Sequence, residues 1–142
     1  MAVKNEKDII PFVTRRESIA FPADFILYLE SADRNIIVCT DKGNYRCYKN
    51  LRDCEIYLGK DYFRVNERMI VNFSRVLLMK DRTIKFDNGI EVVVGDKFFG
   101  SLRRRFSNYI IKKRRQQLGL EEPSNGGPGC LVVSGVERDS SF

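Results

Sequence analysis

The sequence of 142 residues contains no histidine. Without histidine the chain has no imidazole zinc ligand, no Ser-His-Asp triad and no Cys-His pair, so most hydrolase templates are excluded. Phosphate-binding glycine loops are absent as well, because no G-x-G-x-x-G motif follows a strand-like run and no G-K-[ST] motif occurs. We therefore do not expect an enzyme.

Long hydrophobic runs are also missing. No apolar stretch approaches the ~18 residues that span a bilayer, and residues 1–10 are charged and lack the apolar segment of a signal peptide. The four cysteines show no C-x-x-C spacing, and two of them lie in strand-like runs, which indicates buried reduced thiols. We expect a soluble cytoplasmic protein without a metal ion or other cofactor.

Charge is present in excess, and it is unevenly distributed. The chain carries 25 basic and 19 acidic residues, a net charge of +6. The last 24 residues contain one basic and four acidic residues, so residues 1–118 have a net charge of +9 and the tail −3. A basic body of this kind hints at a polyanionic partner.

Runs of strand length dominate the body. The runs 36–40 and 44–48 are joined by a short glycine-containing turn, which predicts a hairpin. A second hairpin is predicted around Asn88-Gly89, with a type I′ turn whose two central residues need positive φ. Carboxylates that flank it, such as Asp87, are expected to be solvated turn residues. Further strands are predicted at 9–13 and 25–29.

Two helices are predicted. Asn50 can cap a short helix that runs through Leu58 and closes at Gly59 in a left-handed conformation. A longer helix begins near Asp96 and ends near Leu118, and its apolar stripe is expected to face the core. The stripe consists of Phe98, Phe99, Leu102, Phe106, Tyr109 and Ile110. The opposite face is basic, which suits a solvated surface, contact with nucleic-acid phosphates or contact with anionic lipid.

The domain organisation follows from composition. We expect a flexible N-terminus over residues 1–8 and one domain over residues 9–118 that includes the long helix. Residues 119–142 are acidic and rich in glycine and proline, which predicts a disordered tail. The domain is predicted to be mainly β and antiparallel, with one short internal helix and a C-terminal amphipathic helix.

The segment 63–72, FRVNERMIVN, is the most informative in the chain. It resembles the signature of the LytTR DNA-binding domain family, in which a short polar loop leads into a strand that ends in Val-Asn. The strand at 25–30, the Asn88-Gly89 hairpin and the start of the long helix are similar to the family pattern in the same order, so the resemblance covers roughly residues 10–106. The loop departs from the family, because its usual His is Asn66 and its usual Ser is Arg68.

The resemblance implies an elongated domain of several small antiparallel sheets that reads DNA with loops rather than with a recognition helix. Transferred position by position, the contact loops fall at Arg34-Asn35, at Asn66-Glu67-Arg68 and at Asp96-Lys97. Candidate phosphate contacts are Arg64, which belongs to the family's frame, and three residues of the basic helix face, Arg104, Arg105 and Lys112.

The loop residues have the donors and acceptors that base edges require. Arg34 and Lys97 can bind guanine or phosphate, and the asparagines can bind adenine. Glu67 can accept from cytosine N4, or it can pair with a neighbouring arginine. Arg34 and Arg68 can also be ordinary exposed turn residues. A lysine near a helix start is unfavourable for the helix dipole, which favours a functional role for Lys97.

The predicted function is a sequence-specific transcriptional regulator of bacterial type that reads the major groove of double-stranded DNA. The alternative is a protein-interaction module that keeps the LytTR frame but has lost specific DNA reading. The ~10 residues before the first strand are too few for the receiver domain that many relatives carry, so control is expected from elsewhere. Candidate further partners are a second copy on adjacent repeats and a sensor or membrane regulator protein.

Overall fold

The structure, a computed structural model, describes residues 8–120. The predicted flexible N-terminus and acidic tail lie outside the described residues, apart from Asp8, Gly119 and Leu120. The chain divides into two compact units, one that ends at Arg104 and one that begins at Arg105. All of the described strands belong to the first unit.

Residues 8–120 form ten strands, two α-helices and one short 3-10 helix. The strands are β1 (Ile9–Val13), β2 (Ser18–Pro22), β3 (Ile26–Ala32), β4 (Asn35–Thr40), β5 (Gly43–Cys47), β6 (Tyr62–Asn66), β7 (Met69–Asn72), β8 (Val76–Lys80), β9 (Thr83–Phe86) and β10 (Glu91–Val93). The α-helices are α1 (Leu51–Glu55) and α2 (Asp96–Gln117), and the 3-10 helix is Phe73–Arg75.

The strands form three antiparallel sheets. β1 and β2 make a two-stranded sheet, five strands follow the order β5-β4-β3-β7-β6, and three strands follow the order β10-β9-β8. The described pairs are all antiparallel. The prediction of a mainly β, antiparallel, multi-sheet domain with one short internal helix and a C-terminal helix is therefore confirmed.

One hydrophobic core joins the β1–β2 hairpin to the five-stranded sheet and to α1. Ile10 and Phe12 of β1 face inward, as the period of two along a strand dictates. The Phe12 and Phe21 rings meet edge to face with centroids 5.3 Å apart. The other members of the cluster are Ile26, Leu29, Ile36, Val38, Cys47, Leu51, Cys54 and Ile70. Burial of each large apolar side chain stabilises the fold by roughly 1.5–3 kcal/mol, and this free energy holds the hairpin against the sheet.

Strand pairing places two turns side by side at one end of the five-stranded sheet. Asp33 and Arg34 form the turn between β3 and β4. β3 pairs with β7 on its other side, and the Ser31 amide donates to the carbonyl of Arg68 at 2.8 Å. The β3–β4 turn therefore lies next to the β6–β7 turn.

The chain leaves β5 at the same end, because Ile36 at the start of β4 pairs with Cys47 at the end of β5. We refer to residues 33–34, 48–49 and 66–68 together as the Arg34 end of the sheet. Residues 41–42, in the β4–β5 turn, lie at the opposite end, as does Lys60, which precedes β6.

The asparagine that ends the signature segment has a structural role. The Asn72 side chain is buried, and its Nδ2 donates to the carbonyl of Ile26 at 2.8 Å. Its Oδ1 accepts from the Ser74 amide at 3.0 Å and from the Ser74 hydroxyl at 2.7 Å. Asn72 thus satisfies buried backbone polar groups where β7 meets the 3-10 helix.

Arg75 connects the five-stranded sheet to the three-stranded sheet. Its guanidinium forms ion pairs with Asp41 in the β4–β5 turn at 2.9 Å and with Asp87 after β9 at 2.6 Å. Its Nη1 also donates to the carbonyl of Asp24 at 2.8 Å. The hydrogen bonds from Arg75 hold the pKa of Asp41 below its usual range. Asp87 is an exposed turn residue, as predicted, and its ion pair with Arg75 is an additional role that the sequence did not indicate.

The hairpin at Asn88-Gly89 is confirmed, but the predicted type I′ turn is wrong. Gly89 has φ 98°, whereas Asn88 is not among the residues with positive φ. The Gly89 amide donates to the carbonyl of Phe86, and the Phe86 amide donates to the carbonyl of Ile90. This is a three-residue loop that ends in a left-handed glycine, and its length leaves Asp87 free to reach Arg75.

Helix α1 begins as predicted and ends early. Asn50 caps it, since the Asp53 amide donates to Asn50 Oδ1 at 2.8 Å. The helix ends at Glu55, and the next residues are held by tighter bonds between residues three apart. Ile56 is exposed and gives a longer helix no core contact. Gly59 does not have positive φ, so its predicted role as the left-handed terminus is wrong.

Helix α2 matches the predicted span within one residue at its C-terminal end. Leu102 is buried, but Phe98 is 38% exposed and Ile110 is 45% exposed, so the prediction that the whole stripe faces the core is wrong for these two residues. A periodic apolar stripe predicts a helix, but it does not determine how many turns of that helix pack against the core. Within residues 8–120, no helix has the length and apolarity needed to cross a membrane.

Candidate nucleic-acid interface

The β3–β4 turn presents Arg34 to solvent. Asp33 has φ 58°, and this left-handed residue reverses the chain so that the following Arg34 is exposed at the tip. Asn35 is the first residue of β4, and its Oδ1 is buried without a hydrogen-bond partner among the described residues. A bidentate contact with adenine needs both Oδ1 and Nδ2 at the surface, so Asn35 must change rotamer to make one.

The β6–β7 turn is held in shape by Arg64. Its Nε donates to the carbonyl of Asn66 at 2.9 Å, its Nη2 donates to the carbonyl of Glu67 at 3.1 Å, and its Nη1 pairs with Glu55 Oε1 at 2.8 Å. Two of its N–H donors therefore hold the turn and a third pairs with α1, which leaves fewer donors for a phosphate. The geometry points to a positioning role for Arg64.

The side chains of the same turn differ in how they are presented. Asn66 Oδ1 accepts from the Arg68 amide at 2.7 Å, which closes the turn and leaves less of Asn66 for a base. Glu67 and Arg68 are exposed at its tip. The ion pair that Arg64 forms joins Glu55 rather than a carboxylate of the turn, so the geometry does not favour the ion-pair alternative for Glu67.

The start of α2 lies beside the β6–β7 turn. Arg64, Asn66, Glu67, Arg68 and Phe98 line a shared groove of about 640 Å³. Asp96 and Lys97 are exposed in the first turn of the helix, and Lys97 Nζ lies 6.0 Å from the centroid of the Phe98 ring. Because the β3–β4 turn lies on the other side of the β6–β7 turn, the three predicted loops are neighbours in the first unit.

A further cationic turn, between β8 and β9, was not predicted from the sequence. Asp81 and Arg82 form a two-residue turn with φ 52° and 64°. Non-glycine residues in this region cost about 1–2 kcal/mol each. The carbonyl of Arg82 accepts from the Val94 amide at 2.9 Å, which places the turn next to the segment that leads into Lys97. Neither glycine nor asparagine marks this turn, so the usual sequence signal is missing.

The basic residues of α2 belong to two units. Arg104 is exposed at the end of the first unit, whereas Arg105 and Lys112 lie in the second. Within the second unit the rings of Phe106 and Tyr109 stack with centroids 6.4 Å apart. The described part of this unit exposes basic residues such as Lys112 together with the apolar side chains of Ile110 and Leu118.

Metal and thiol chemistry find no support in the described residues. Among residues 8–120 no group of three or more Cys, Asp or Glu side chains is arranged to hold a metal ion. Cys39, Cys47 and Cys54 are buried free thiols, as predicted, and Cys130 lies outside the described residues. Burial raises the pKa of Cys54 to about 11, so this thiol is a poor nucleophile at neutral pH.

Comparison with known proteins identifies the domain to which these turns belong. The family profile of the LytTr DNA-binding domain matches residues 16–107. The chain belongs to this family. The matched part includes β2 to β10 and the first half of α2, so the turns with Arg34, Arg68, Arg82 and Lys97 all lie within it. LytTr domains are DNA-binding modules rather than enzymes, which agrees with the function predicted in coarse terms.

The fold agrees with that of a solved LytTr domain. A LytTr DNA-binding domain from Bacillus cereus is similar with a TM-score of 0.54 and 24% sequence identity, over 71% of this chain and 97% of that one. At this identity the likeness shows the fold. Among curated proteins, none matches the sequence significantly.

Proposed function

We propose that this LytTr protein is a sequence-specific transcriptional regulator that reads the major groove of duplex DNA with the turns of its β scaffold. One observation carries the proposal: β3 pairs with both β4 and β7, and this pairing sets the exposed Arg34 beside the exposed Arg68. Two cations at adjacent turns of a rigid sheet suit base edges or phosphates along one face of a duplex.

The dimensions suit DNA. Five strands at about 4.8 Å spacing give the sheet an edge of about 19 Å. At 3.4 Å per base pair this edge is as long as five to six base pairs, about half a helical turn. Side chains at the two ends of this sheet edge can therefore contact neighbouring base pairs of one DNA site.

The side chains of the loops differ in the DNA groups that they are proposed to bind. Arg34, Arg68 and Lys97 are proposed donors to guanine or to phosphate, and Glu67 and Asp96 are proposed acceptors for cytosine N4. Asn35 and Asn66 are proposed adenine contacts that need a rearrangement of their side chains.

Arg82 is proposed as a further part of the interface, because its turn lies beside the segment that leads into Lys97. Arg64 is proposed to position the β6–β7 turn rather than to bind phosphate.

The experiment that tests this proposal begins with selection of bound duplexes from a random pool. Fluorescence anisotropy then measures Arg34→Ala, Arg68→Ala and Lys97→Ala on the selected duplex and on a scrambled one. A lost base contact should cost about 1–3 kcal/mol, which is roughly a 5- to 150-fold loss on the selected duplex only. Lys42→Ala, at the opposite end of the sheet, is the matched control. Three variants that bind the selected duplex within about twofold of wild type would show that the turns do not read it.

The remaining parts of the proposal follow from DNA binding. Residues 9–118 would form the binding domain, including the candidate phosphate contacts Arg104, Arg105 and Lys112, and the protein would act in the cytoplasm. A second copy on an adjacent repeat or a separate sensor protein would supply control, and the acidic residues 119–142 would compete with DNA for the basic body. Deleting residues 119–142 should then tighten binding, and unchanged affinity would refute the competition.

A second candidate function is a protein-interaction module. The three-stranded sheet exposes Leu77 on β8 and Val93 on β10, at 63% and 68% of their surface. Both strands are edges of this sheet, and exposed apolar edges can pair with another chain. A gel shift at two salt concentrations separates the candidates, because an interaction module gives no specific band that survives moderate salt.

A further inference from the structure

A second, strongly basic groove opens at the Arg34 end of the sheet. It lies between the tip of the β1–β2 hairpin and the segment that leads from β5 into α1, and its volume is about 980 Å³. Arg15, Arg16, Arg34 and Lys49 line it, against the single carboxylate of Asp53. Four cations and one anion in one groove create a positive potential that attracts polyanions.

These cations are available for a partner. Arg15, Arg16 and Arg34 are exposed and Lys49 is half-buried. Within residues 8–120 none of the four forms an ion pair with a carboxylate. Their mutual repulsion is relieved by solvent and by the one carboxylate of Asp53, and a bound polyanion would relieve it further.

The backbone that forms the groove is held in place by contacts within the protein itself. Thr14 Oγ1 accepts from the amides of Arg16 and Glu17, each at 3.2 Å, and the Thr14 amide donates to the carbonyl of Glu17 at 2.8 Å. These bonds fix the tip that carries Arg15 and Arg16. The hairpin and the β5–α1 segment also share one hydrophobic core. Binding would therefore order little backbone, which lowers its entropic cost.

We propose that this groove binds the sugar-phosphate backbone of duplex DNA next to the bases that the turns read, an inference that rests on the proposed function. Arg34 connects the two surfaces, because it lines the groove and also forms the β3–β4 turn. Arginine, lysine and the exposed hydroxyl of Tyr48 are phosphate-binding groups. The groove is open and carries four cations at its surface, which suits an extended polyanion better than an enclosed small molecule.

The groove extends past the part of the chain that the family profile matches. The match begins at residue 16, so β1 and Arg15 lie before it. The contact proposed here therefore depends on the β1–β2 hairpin of this chain, in addition to the turns that lie within the match.

The test compares two double variants that remove equal charge. Arg15→Ala/Arg16→Ala removes two cations from the groove, and Lys42→Ala/Lys60→Ala removes two exposed cations from the opposite end of the sheet. Anisotropy titrations use the selected duplex and a scrambled duplex between 50 and 200 mM salt. The counterion relation gives a slope change of about 0.9 per phosphate contact, hence about 1.8 for the groove variant, and roughly a 30-fold loss at 0.15 M salt. The loss should be equal on both duplexes, and the control should change by no more than about twofold.

Each other result overturns a defined part of the reasoning. If wild type binds the selected duplex but the groove variant keeps its affinity and salt slope, the groove makes no contact while the proposed function stands. A loss confined to the selected duplex would mean base reading rather than backbone binding, and an equal loss in the control would mean a net-charge effect. Wild type that binds no duplex refutes both proposals. Arg15→Lys/Arg16→Lys should restore most of the affinity, because a phosphate accepts a point charge where bidentate base reading does not.

Discussion

Replacing Arg75 by alanine should destabilise the fold more than any other single loss of surface charge that we consider. The Arg75 side chain is 14% exposed and joins two carboxylates that belong to different sheets. It donates to both oxygens of Asp41 and of Asp87, and also to the carbonyl of Asp24. Removing it leaves the β4–β5 turn and the β9–β10 turn joined only by the weaker hydrogen bond from Asn88 Nδ2 to Asp41 Oδ1 at 3.0 Å, among the bonds of the described residues.

The loss of unfolding free energy in Arg75→Ala should lie between two limits. Exposed ion pairs contribute about 0.2–1 kcal/mol, whereas breaking a fully buried pair costs about 3–5 kcal/mol. Here the guanidinium is largely buried, but Asp41 and Asp87 are 33% and 46% exposed, so water replaces part of what the carboxylates lose. We expect Arg75→Ala to lower the free energy of unfolding by about 2–3 kcal/mol. For a domain of this size the melting temperature should fall by roughly 10–20 °C.

The pH dependence provides a second signature. Arg75 lowers the pKa of Asp41 in the folded state, relative to about 3.9 in the unfolded chain. A depressed carboxyl pKa gives stability that is present above the unfolded value and is lost as pH falls through the folded value. The difference between wild type and Arg75→Ala should therefore be largest near neutral pH and should shrink below about pH 4.

Urea unfolding followed by circular dichroism at pH 7 and pH 3 measures both effects. Arg46→Ala, which removes an exposed arginine of β5, is the control and should change the free energy of unfolding by less than about 0.5 kcal/mol. Arg75→Lys should fall between wild type and Arg75→Ala, because an ammonium does not reproduce the bidentate pairs. If Arg75→Ala is no more destabilising than the control, the bridge between the sheets does not stabilise the fold. If its effect is large but equal at both pH values, Arg75 stabilises the fold without the ion pair to Asp41.

Two other predictions concern single side chains. Asn72→Ala should cost about 2–3 kcal/mol in urea unfolding because it leaves the buried carbonyl of Ile26 without a donor; an effect as small as that of exposed Asn44→Ala would contradict this role. Arg82→Gly should relieve the strain of a left-handed residue and raise the melting temperature by about 3–5 °C, while Arg82→Ala should not. Both changes should weaken binding to the selected duplex, and unchanged affinity in both would remove Arg82 from the proposed interface.

Much of the fold could be predicted from local pattern. Apolar runs of strand length at 9–13 and 36–40 became β1 and β4 with the same bounds or nearly so, because the period of two survives in any sheet with one buried face. The Asn50 cap was predicted because its hydrogen bond is local. The errors fell where distant residues decide, as in the loop at Asn88 that bends to the Arg75 bridge.

The site was predicted less completely. The resemblance supplied the positions of Arg34, Arg68 and Lys97, and the structure shows all three exposed, the first two in turns between strands and Lys97 in the first turn of α2. Arg64 was predicted as a phosphate contact, and its three hydrogen bonds to Glu55 and the β6–β7 turn are what support the positioning role that we propose. Arg82 was missed because its turn lacks glycine and asparagine.

The sequence by itself determined the class of this protein. Its lack of histidine, its alternating apolar runs and the segment 63–72 are local properties, and they are enough for an antiparallel LytTr domain with a basic body. Only the tertiary structure decided which charges act together. Arg15 and Lys49 lie far apart in the chain and meet in one groove, because a shared core holds the β1–β2 hairpin against the end of the sheet. Arg75 meets Asp41 and Asp87 for the same reason, since packing between sheets brings together residues whose spacing in the sequence carries no signal.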